Sequence, residues 1–405
     1  MRTFDRANKL EKVSYDIRGP IAKEAKRIES EGHKVIKLNI GNPGAFGFDA
    51  PQEIIDGVSA NLRNAQGYGD SQGIPAARQA VMQDFHGKGI LDVELNDIFI
   101  GNGVSELIML SMQALLNPGD EVLVPMPNYP LWTAAITLMG GQAVHYLCDE
   151  AADWNPDLQD IRSKVTDRTK AIVVINPNNP TGAVYSKKTL EDIAAIACER
   201  ELIVFADEIY SRITYEGAQF IPMASINPDI LTISFDGLSK SWLCAGFRAA
   251  WMVLSGNKKA AAGYLTGLEM LSNMRLCPNM LPQFGIQAAL GNPGSVDKLL
   301  LPGGRLKEQR DEVINAVNSI PGLSVVSPKG ALYCFPKIDT AKFGIKNDQQ
   351  FIMDLLQAKH LLFVHGSGFG WKEPNHFRIV FLPNKETIAD AMGRLRSFLE
   401  GYQQK

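Results

Sequence analysis

The sequence contains little that would point to a membrane, to a disulfide framework or to nucleic acid. Its longest apolar stretch, residues 107–116, is about half as long as a helix needs to span a bilayer. Its five cysteines are scattered without a CxxC pair, a pattern that argues against disulfides and against a zinc site. The formal net charge of −3 has both signs spread along the chain, so neither nucleic acid nor an anionic membrane is expected as a partner.

The N-terminal residues 1–18 are polar and charged and lack the apolar core of a signal peptide. Unpaired cysteines are also typical of proteins that work in a reducing compartment. The two observations together predict a cytoplasmic protein.

Short apolar runs alternate with helical patterns through the middle of the chain. The runs lie at residues 97–103, 121–125, 143–147, 171–177, 202–208, 231–235 and 250–254. Most are continuous, which is typical of strands that are buried on both faces. We therefore predict an α/β fold with a mostly parallel central sheet covered by helices.

A chain of 405 residues is longer than one compact core usually organises, so two domains are expected. After about Gly303 the pattern changes to a long charged helix, several short strand-like segments and a final helix over residues 386–401. We predict a large domain over residues 51–300 and a smaller α+β domain over residues 301–405. The N-terminal segment, residues 1–50, is expected to pack with the small domain.

Three polar motifs follow apolar runs, and ligands of open α/β sheets bind at the carboxyl ends of strands. They are the turn at residues 178–182, the acidic pair that begins at Asp207, and Ser239-Lys240 with Arg248 eight residues further on. Each motif alone also has an ordinary interpretation, as a turn, an ion-paired acid or a loop lysine.

Taken together, the motifs resemble those of the fold-type I aminotransferases in the aspartate aminotransferase superfamily. NNPTG (178–182), DEIY (207–210) and SK followed by GFR (246–248) occur in that family's order and spacing. The resemblance covers about residues 14–382. YDIRGP (15–20) and LNIGNP (38–43) are similar to the alanine (glutamate–pyruvate) aminotransferase branch.

The resemblance implies pyridoxal 5'-phosphate as the cofactor and Lys240 as the residue that holds it as a Schiff base. Lys240 would also move the proton between the substrate Cα and the cofactor. Asp207 would face the pyridine nitrogen and keep it protonated, as a buried carboxylate can. Asn179 and Tyr210 would hydrogen-bond the phenolic oxygen, and Tyr129 would stack on the ring.

The resemblance also assigns a phosphate site, in which a helix N-terminus provides backbone donors. Its members would be Gly103, Val104, Ser105, Ser239 and Arg248. Gly237 departs from the family, which often has Ser or Thr there, and leaves the phosphate one hydroxyl short unless Ser239 or Ser241 compensates.

For the substrate, the resemblance implies that Arg378 grips the α-carboxylate with a planar fork, which lysine could not replace. Gly41 and Asn179 would contact the same end of the substrate. Tyr68 matches a tyrosine that reaches the phosphate of the neighbouring subunit, which would make the protein a homodimer with shared active sites.

Glutamate and alanine must share one pocket if both are substrates. A mobile arginine avoids leaving a desolvated charge unpaired when alanine binds. Arg18 is the candidate because a chain terminus repositions easily, with Tyr15 closing over the small substrate. Arg275 is the competing candidate.

The predicted activity is transfer of an amino group between L-alanine and 2-oxoglutarate. Alternatives with the same cofactor are an aspartate or broad-range aminotransferase and a carbon–sulfur lyase. A regulatory protein that kept the fold is a further alternative, although such proteins commonly lose the lysine that is present here as Lys240.

Overall fold

The computed structural model describes residues 3–11, 13, 15 and 19–405. Its α-helices are α1 (Pro20–Ser30), α2 (Gln52–Ala60), α3 (Pro75–Gly87), α4 (Val104–Leu115), α5 (Leu131–Leu138), α6 (Leu158–Lys164), α7 (Lys187–Glu199), α8 (Leu238–Ser241), α9 (Ala262–Met274), α10 (Met280–Gly291), α11 (Arg305–Asn318), α12 (Thr340–Phe343), α13 (Asp348–Lys359) and α14 (Lys385–Leu399). Its strands are β1 (Ile36–Lys37), β2 (Ile98–Gly101), β3 (Glu121–Met126), β4 (Gln142–Asp149), β5 (Asn155–Pro156), β6 (Thr169–Ile175), β7 (Ile203–Asp207), β8 (Thr232–Gly237), β9 (Ala250–Ser255), β10 (Leu323–Ser324), β11 (Tyr333–Cys334), β12 (Lys337–Ile338), β13 (Leu361–Leu362), β14 (Val364–His365) and β15 (Phe377–Val380).

The central sheet has eight strands in the order β2-β9-β8-β7-β6-β3-β4-β5. Neighbouring strands from β8 to β4 are parallel. The exceptions are β9, which runs antiparallel to both β2 and β8, and the short β5, which runs antiparallel to β4. Every residue of β3, β8 and β9 is buried, as expected for strands with helices on both faces. The sheet confirms the predicted α/β fold.

The carboxyl ends of six strands lie at one edge of this sheet. The parallel strands β3, β4, β6, β7 and β8 end there, and β2 runs in the same direction because β9 is antiparallel to both β2 and β8. Gly101 at the end of β2 and Gly237 at the end of β8 both lie opposite Ala250, the first residue of β9. The loops that follow these strands are therefore brought together.

The two ends of the chain share a second apolar core. In β1, Ile36 pairs in parallel with Leu361 of β13, and α1 packs against α13. The short strands β11, β15 and β14 form an antiparallel sheet, and α11 packs against α14. This packing is compatible with the predicted association of residues 1–50 with the small domain. The boundaries of the domains stay a prediction.

The C-terminal strands are shorter than the apolar segments that predicted them. The runs at 323–326 and 331–335 contribute only two residues each to a ladder. Among the described residues, no helix is both long and apolar enough to cross a membrane.

Candidate active site

A cavity of about 580 Å³ opens at the edge where the strand ends meet. Twelve of the predicted site residues line it: Tyr15, Gly41, Val104, Ser105, Tyr129, Asn179, Asp207, Tyr210, Ser239, Lys240, Arg248 and Arg378. They come from widely separated parts of the chain, and the sheet and the small domain bring them together.

Asp207 is the last residue of β7 and is buried. Its Oδ2 accepts a hydrogen bond of 3.0 Å from Nε1 of Trp132, near the start of α5. Its Oδ1 is buried and has no hydrogen-bond partner among the described residues. Burial raises the pKa of Asp207 to about 6, although the Trp132 indole and the backbone N–H of Ile209 act in the opposite direction. The cavity therefore presents an acceptor that lacks a positive partner.

Lys240 lies in the short helix α8, which directly follows β8. Its Nζ donates a hydrogen bond to the carbonyl oxygen of Gly41. A Cβ atom at Gly41 would lie 2.1 Å from the Tyr333 hydroxyl, so the close approach of these segments requires glycine at this position.

Two tyrosines flank the lysine. The Tyr210 hydroxyl donates a hydrogen bond of 2.9 Å to the Tyr333 hydroxyl. Burial raises the pKa of Tyr210. Burial alone would also raise the pKa of Tyr333, but the cations of Lys240 and Arg378 outweigh it, so that this pKa is lowered. The opposite directions of the two pKa shifts agree with Tyr210 as the donor and Tyr333 as the acceptor of this hydrogen bond.

The residues predicted to bind the phosphate lie together around the N-terminus of α4. Gly103 has φ +93°, and a Cβ there would lie 2.0 Å from Nη2 of Arg248. The Arg248 guanidinium donates to the hydroxyl of Ser239 at 3.4 Å and to the carbonyl of Asn102 at 3.2 Å. The first N–H groups of a helix have no partner within the helix, so those of Val104 and Ser105 face the same corner of the cavity as the arginine.

Gly237, where the resembling family often has Ser or Thr, has no room for a larger side chain. A Cβ at this position would lie 2.7 Å from the Cβ of Ala250 and 2.8 Å from the carbonyl oxygen of Ala249. The hydroxyl of Ser241 donates to the carbonyl of Ile209 at 3.2 Å and lies outside the cavity. Ser239 is thus the serine of this turn that is available to a bound group.

Arg378 lies in β15 and is almost completely buried. Its Nη1 donates to Oδ1 of Asn179 at 2.8 Å, and its Nη2 donates to the carbonyl of Asn39. Its guanidinium carbon lies 4.3 Å from the Tyr333 ring centre and 4.5 Å from that of Phe369. Its Nε is buried without a partner among the described residues. Fixed on both faces and with a free donor, the guanidinium is prepared for a carboxylate.

Tyr15, from the N-terminal part of the chain, is one of the residues that line the cavity. The Tyr15 hydroxyl lies 3.1 Å from the Tyr129 hydroxyl, and 38% of Tyr15 remains exposed. Arg18, predicted to act from the same segment, lies outside the described residues.

Three other predicted residues do not line the cavity: Gly103, which directly precedes α4, Tyr68 and Arg275. Tyr68 is 84% exposed. Arg275 pairs with Glu106 and donates through Nη2 to the carbonyls of Ser71, at 3.1 Å, and Ile100, at 2.6 Å. Within this chain, Arg275 is therefore committed to holding the segment before α4 and does not face the cavity.

Comparison with known proteins agrees with this geometry. Residues 33–395 match the family described as aminotransferase class I and II. The chain belongs to this family. It is 56% identical to the glutamate-pyruvate aminotransferase AlaA of Haemophilus influenzae, with all of both chains covered. It is 50% identical to an alanine aminotransferase of Mycobacterium tuberculosis, covering 100% of this chain and 94% of that one. The crystal structure of an aminotransferase from Escherichia coli superposes with a TM-score of 0.99 at 56% identity over 100% of both chains.

Class I and II aminotransferases use pyridoxal phosphate, and the cavity of this aminotransferase fits that group. The unpartnered Oδ1 of Asp207 would accept a hydrogen bond from a protonated ring nitrogen. The Gly103 turn, which has no room for a side chain, and the Arg248 guanidinium provide donors and positive charge for a phosphate.

The sequence interpretation missed three contributors to this aminotransferase site: Trp132, Tyr333 and Asn39. Asn39 holds Arg378 through its backbone carbonyl, a group that every residue has. Trp132 and Tyr333 stand in apolar stretches, where an aromatic residue is typical of a core. The position of Trp132, three residues after Tyr129, is the one signal that could have suggested its role.

Proposed function

We propose that this aminotransferase binds pyridoxal phosphate through Lys240 and transfers an amino group between L-alanine and 2-oxoglutarate, forming pyruvate and L-glutamate. The observation that carries the proposal is the buried Arg378, which lines the same cavity as Lys240 and Asp207 and has an Nε without a partner among the described residues, as Asp207 has an oxygen without one. A carboxylate, an amine-bearing carbon and a cofactor ring would be held there at once. The names of the relatives in Haemophilus influenzae and Mycobacterium tuberculosis support alanine and glutamate as substrates.

When bound, pyridoxal phosphate supplies an electron sink that stabilises the negative charge left on Cα after its proton is removed. The sink works only while the ring nitrogen is protonated, and the Asp207 carboxylate would hold that proton in place. Asn179 and Tyr210, which line the cavity beside Asp207, would hydrogen-bond the phenolic oxygen of the ring, and Tyr129 would pack on its face.

The amine of Lys240 would carry the Cα proton. Its Nζ already lies against the Gly41 carbonyl, close to the Tyr210–Tyr333 pair.

Arg378 would orient the substrate through its α-carboxylate. The guanidinium is held by Asn179 and Asn39 and stacked against Tyr333 and Phe369, so binding requires little further ordering. Tyr15 would close over a small substrate from the mouth of the cavity, and Arg18 of the same segment would meet the distal carboxylate of glutamate.

We further propose that the enzyme is a cytoplasmic homodimer. Exposed apolar side chains near Tyr68 support the dimer: Leu62 is 58%, Met274 73% and Leu276 56% exposed. The Arg275–Ser71 contact links the loop after Tyr68 to the end of α9, where Met274 lies. The five free thiols are compatible with a reducing compartment.

The test is to follow the cofactor absorbance of the purified holoenzyme in half-reactions with a panel of amino acids. Alanine and glutamate should each convert the absorbance, and pyruvate or 2-oxoglutarate should restore it. Aspartate should react much more slowly. Borohydride should bleach the colour of the resting enzyme.

Lys240→Ala is the matched control, because the side chain reaches into the cavity and contributes little to packing. It should fold normally and lose turnover. Fast reaction with aspartate would favour the broad-range alternative, and pyruvate release without an amino acceptor would identify a lyase. A wild-type protein that remains colourless and inactive with added pyridoxal phosphate would refute the proposal.

A further inference from the structure

Two buried carboxyl side chains lie side by side behind the active site. Asp207 of β7 pairs in register with Phe235 of β8, and successive strand residues face opposite sides of a sheet. Asp236 of β8 and Glu208, which directly follows β7 and whose N–H donates to the Phe235 carbonyl at 2.8 Å, therefore share the face directed away from the cavity. Both are buried, and neither lines the cavity.

The pair accepts hydrogen bonds from three different segments. Oε1 of Glu208 accepts from the backbone N–H of Met223 at 2.8 Å. Oδ2 of Asp236 accepts from the Ser211 hydroxyl, and Oδ1 accepts from the N–H of Gly237, each at 2.7 Å. Gly237 begins the turn into Lys240, and Ser211 follows the end of β7 that carries Asp207. Asp236 thus contacts the segment after β7 and the turn into Lys240. Glu208, which directly follows Asp207, is anchored to a different segment at Met223.

The surrounding charges are few. Lys88, at the end of α3, is the cation that acts on both carboxyls, and Arg212 acts on Asp236. Both cations are bound to Asp84, Lys88 at 2.5 Å and Arg212 at 3.1 Å. On the other face, the carboxyl of Asp207 adds negative charge.

We propose that Glu208 and Asp236 form a positioning pair that fixes, from behind, the strand ends carrying Asp207 and Lys240. The inference rests on the proposed function, because the residues it positions are those assigned to the cofactor. Neither carboxyl touches the cavity, so the pair acts through the geometry of the turn and not through contact with substrate.

Near neutral pH, Glu208 is the neutral member of the pair. Burial raises the pKa of Glu208 to about 8, with neighbouring Asp236 and Asp207 adding to the effect, and raises that of Asp236 to about 6. Asp236 therefore carries the charge that Ser211 and Gly237 solvate, while Glu208 stays protonated and avoids a third buried negative charge in this region.

The first experiment uses the cofactor-free protein and compares Glu208→Gln with wild type. Because its pKa is raised, Glu208 keeps its carboxyl proton in the folded protein at pH values where the unfolded chain, with a pKa of about 4.5, has released it. The contribution of Glu208 to stability is thus present below about pH 4.5 and is lost as the pH rises through about 8. Glutamine has no such titration, so the Tm of Glu208→Gln relative to wild type should rise by roughly 3 °C or more between pH 5 and 8.5. Glu191→Gln, an exposed site on α7, is the control and should follow wild type at every pH.

The second experiment uses the holoenzyme and reads the cofactor itself. In Asp236→Ala, the midpoint of the pH titration of cofactor absorbance should move by about half a pH unit or more. The kcat value should fall by about tenfold, with KM changed by less than about twofold. Glu208→Ala should show the same pattern. Glu208→Gln should instead behave like wild type, because its amide oxygen still accepts the hydrogen bond from the Met223 N–H. Ser211→Ala, which removes one donor to Asp236, tests the same contact if Asp236→Ala does not fold.

Parallel curves of Tm against pH for wild type and Glu208→Gln would contradict the claim that folded Glu208 is protonated near neutral pH. Variants that lose Tm but keep the wild-type absorbance midpoint and kcat would overturn the positioning role. A wild type without titrating cofactor absorbance would instead refute the proposed function. In that case, the experiment on cofactor-free protein would still decide whether Glu208 is protonated in the folded chain.

Discussion

Asp207 ends β7 with one oxygen bonded to Trp132 and the other buried without a partner. Such a carboxylate is unfavourable for folding in the absence of a cation, because burial raises its pKa to about 6. The stabilising contribution of the protonated form is present below the unfolded pKa, near 3.8, and is lost as the pH rises through 6. The charged form of Asp207 therefore does not stabilise the cofactor-free fold, which agrees with its proposed role toward a bound ring.

We therefore expect Asp207→Asn to lose at least ~10²-fold in kcat, because the charge that holds the ring nitrogen protonated is removed. The same change should not destabilise the cofactor-free protein at pH 8, and should raise its free energy of unfolding by up to about 3 kcal/mol. Stopped-flow half-reactions and denaturant unfolding measure the two effects. Near-normal turnover would mean that another group holds this position.

Arg18 and Arg275 differ in what the structure requires of them. Arg275 is engaged by Glu106, Ser71 and Ile100, so Arg275→Ala should weaken folding and reduce both half-reactions together. Arg18→Ala should slow the glutamate half-reaction at least ~10-fold more than the alanine half-reaction, since only glutamate has a distal carboxylate. Equal loss with both substrates would make Arg18 structural. A loss selective for glutamate in Arg275→Ala would transfer the role to that residue.

For individual residues, the sequence predicted the polar side chains of the site better than it predicted the residues that hold them in place. Lys240, Asp207, Asn179 and Arg378 stood in motifs, and the structure places all four in one cavity. The pairing of Tyr333 with Tyr210 depends on a strand that lies 123 residues further along the chain, and no local pattern carries that information.

Among the elements, the turn from β8 into α8 is tightly packed against its neighbours. It passes Gly237 against β9 with no space for a Cβ, and it delivers Ser239 and Lys240 to the cavity. The close packing of β9 explains why a hydroxyl side chain cannot stand at Gly237, whatever it could contribute to the phosphate.

Gly237→Ala should therefore lower stability by about 1–3 kcal/mol through overpacking, and should weaken retention of the cofactor. Gly263→Ala is the matched control on α9, where nothing lies within 4 Å of the added Cβ. Alanine is the better helix former, so the control should gain up to about 1 kcal/mol. Thermal unfolding and the rate of cofactor loss on dilution measure both variants. Equal Tm values for the two would show that β9 moves aside.

Strand existence was predictable from the sequence, and strand direction was not. The runs at 97–103 and 250–254 form β2 and β9 as expected, but β9 is antiparallel to both neighbours. A continuous apolar run indicates burial on both faces and contains no information on direction. The C-terminal segments formed shorter strands, which are divided among one three-stranded sheet and two two-stranded sheets.

The molecule as a whole presents an exposed aromatic side chain where its family resemblance places a contact to a second subunit. Tyr68 is 84% exposed. It lies three residues before Ser71, whose carbonyl accepts a hydrogen bond from Arg275. An isolated chain gains nothing from such a side chain, which would be buried in the proposed dimer.

A mixture of two inactive variants tests the shared site. Lys240→Ala and Tyr68→Ala chains, each poorly active alone, should form heterodimers after joint unfolding and refolding. Each heterodimer would contain one site with both native residues, so random pairing should restore about a quarter of wild-type activity. Mixing without subunit exchange is the control and should restore none. Failure of refolded heterodimers to regain activity would mean that Tyr68 serves its own chain or none.

The pairing of β1 with β13 joins Ile36 to Leu361, and it has a consequence for biosynthesis. A chain leaves the ribosome N-terminus first and folds by units as they emerge, but the partner strand of β1 is made only when most of the chain is complete. Ile21, Val35 and Leu38, all buried in the finished protein, therefore wait in contact with solvent through most of translation. This apolar segment is where a chaperone would have to shield the nascent chain until its C-terminal partner arrives.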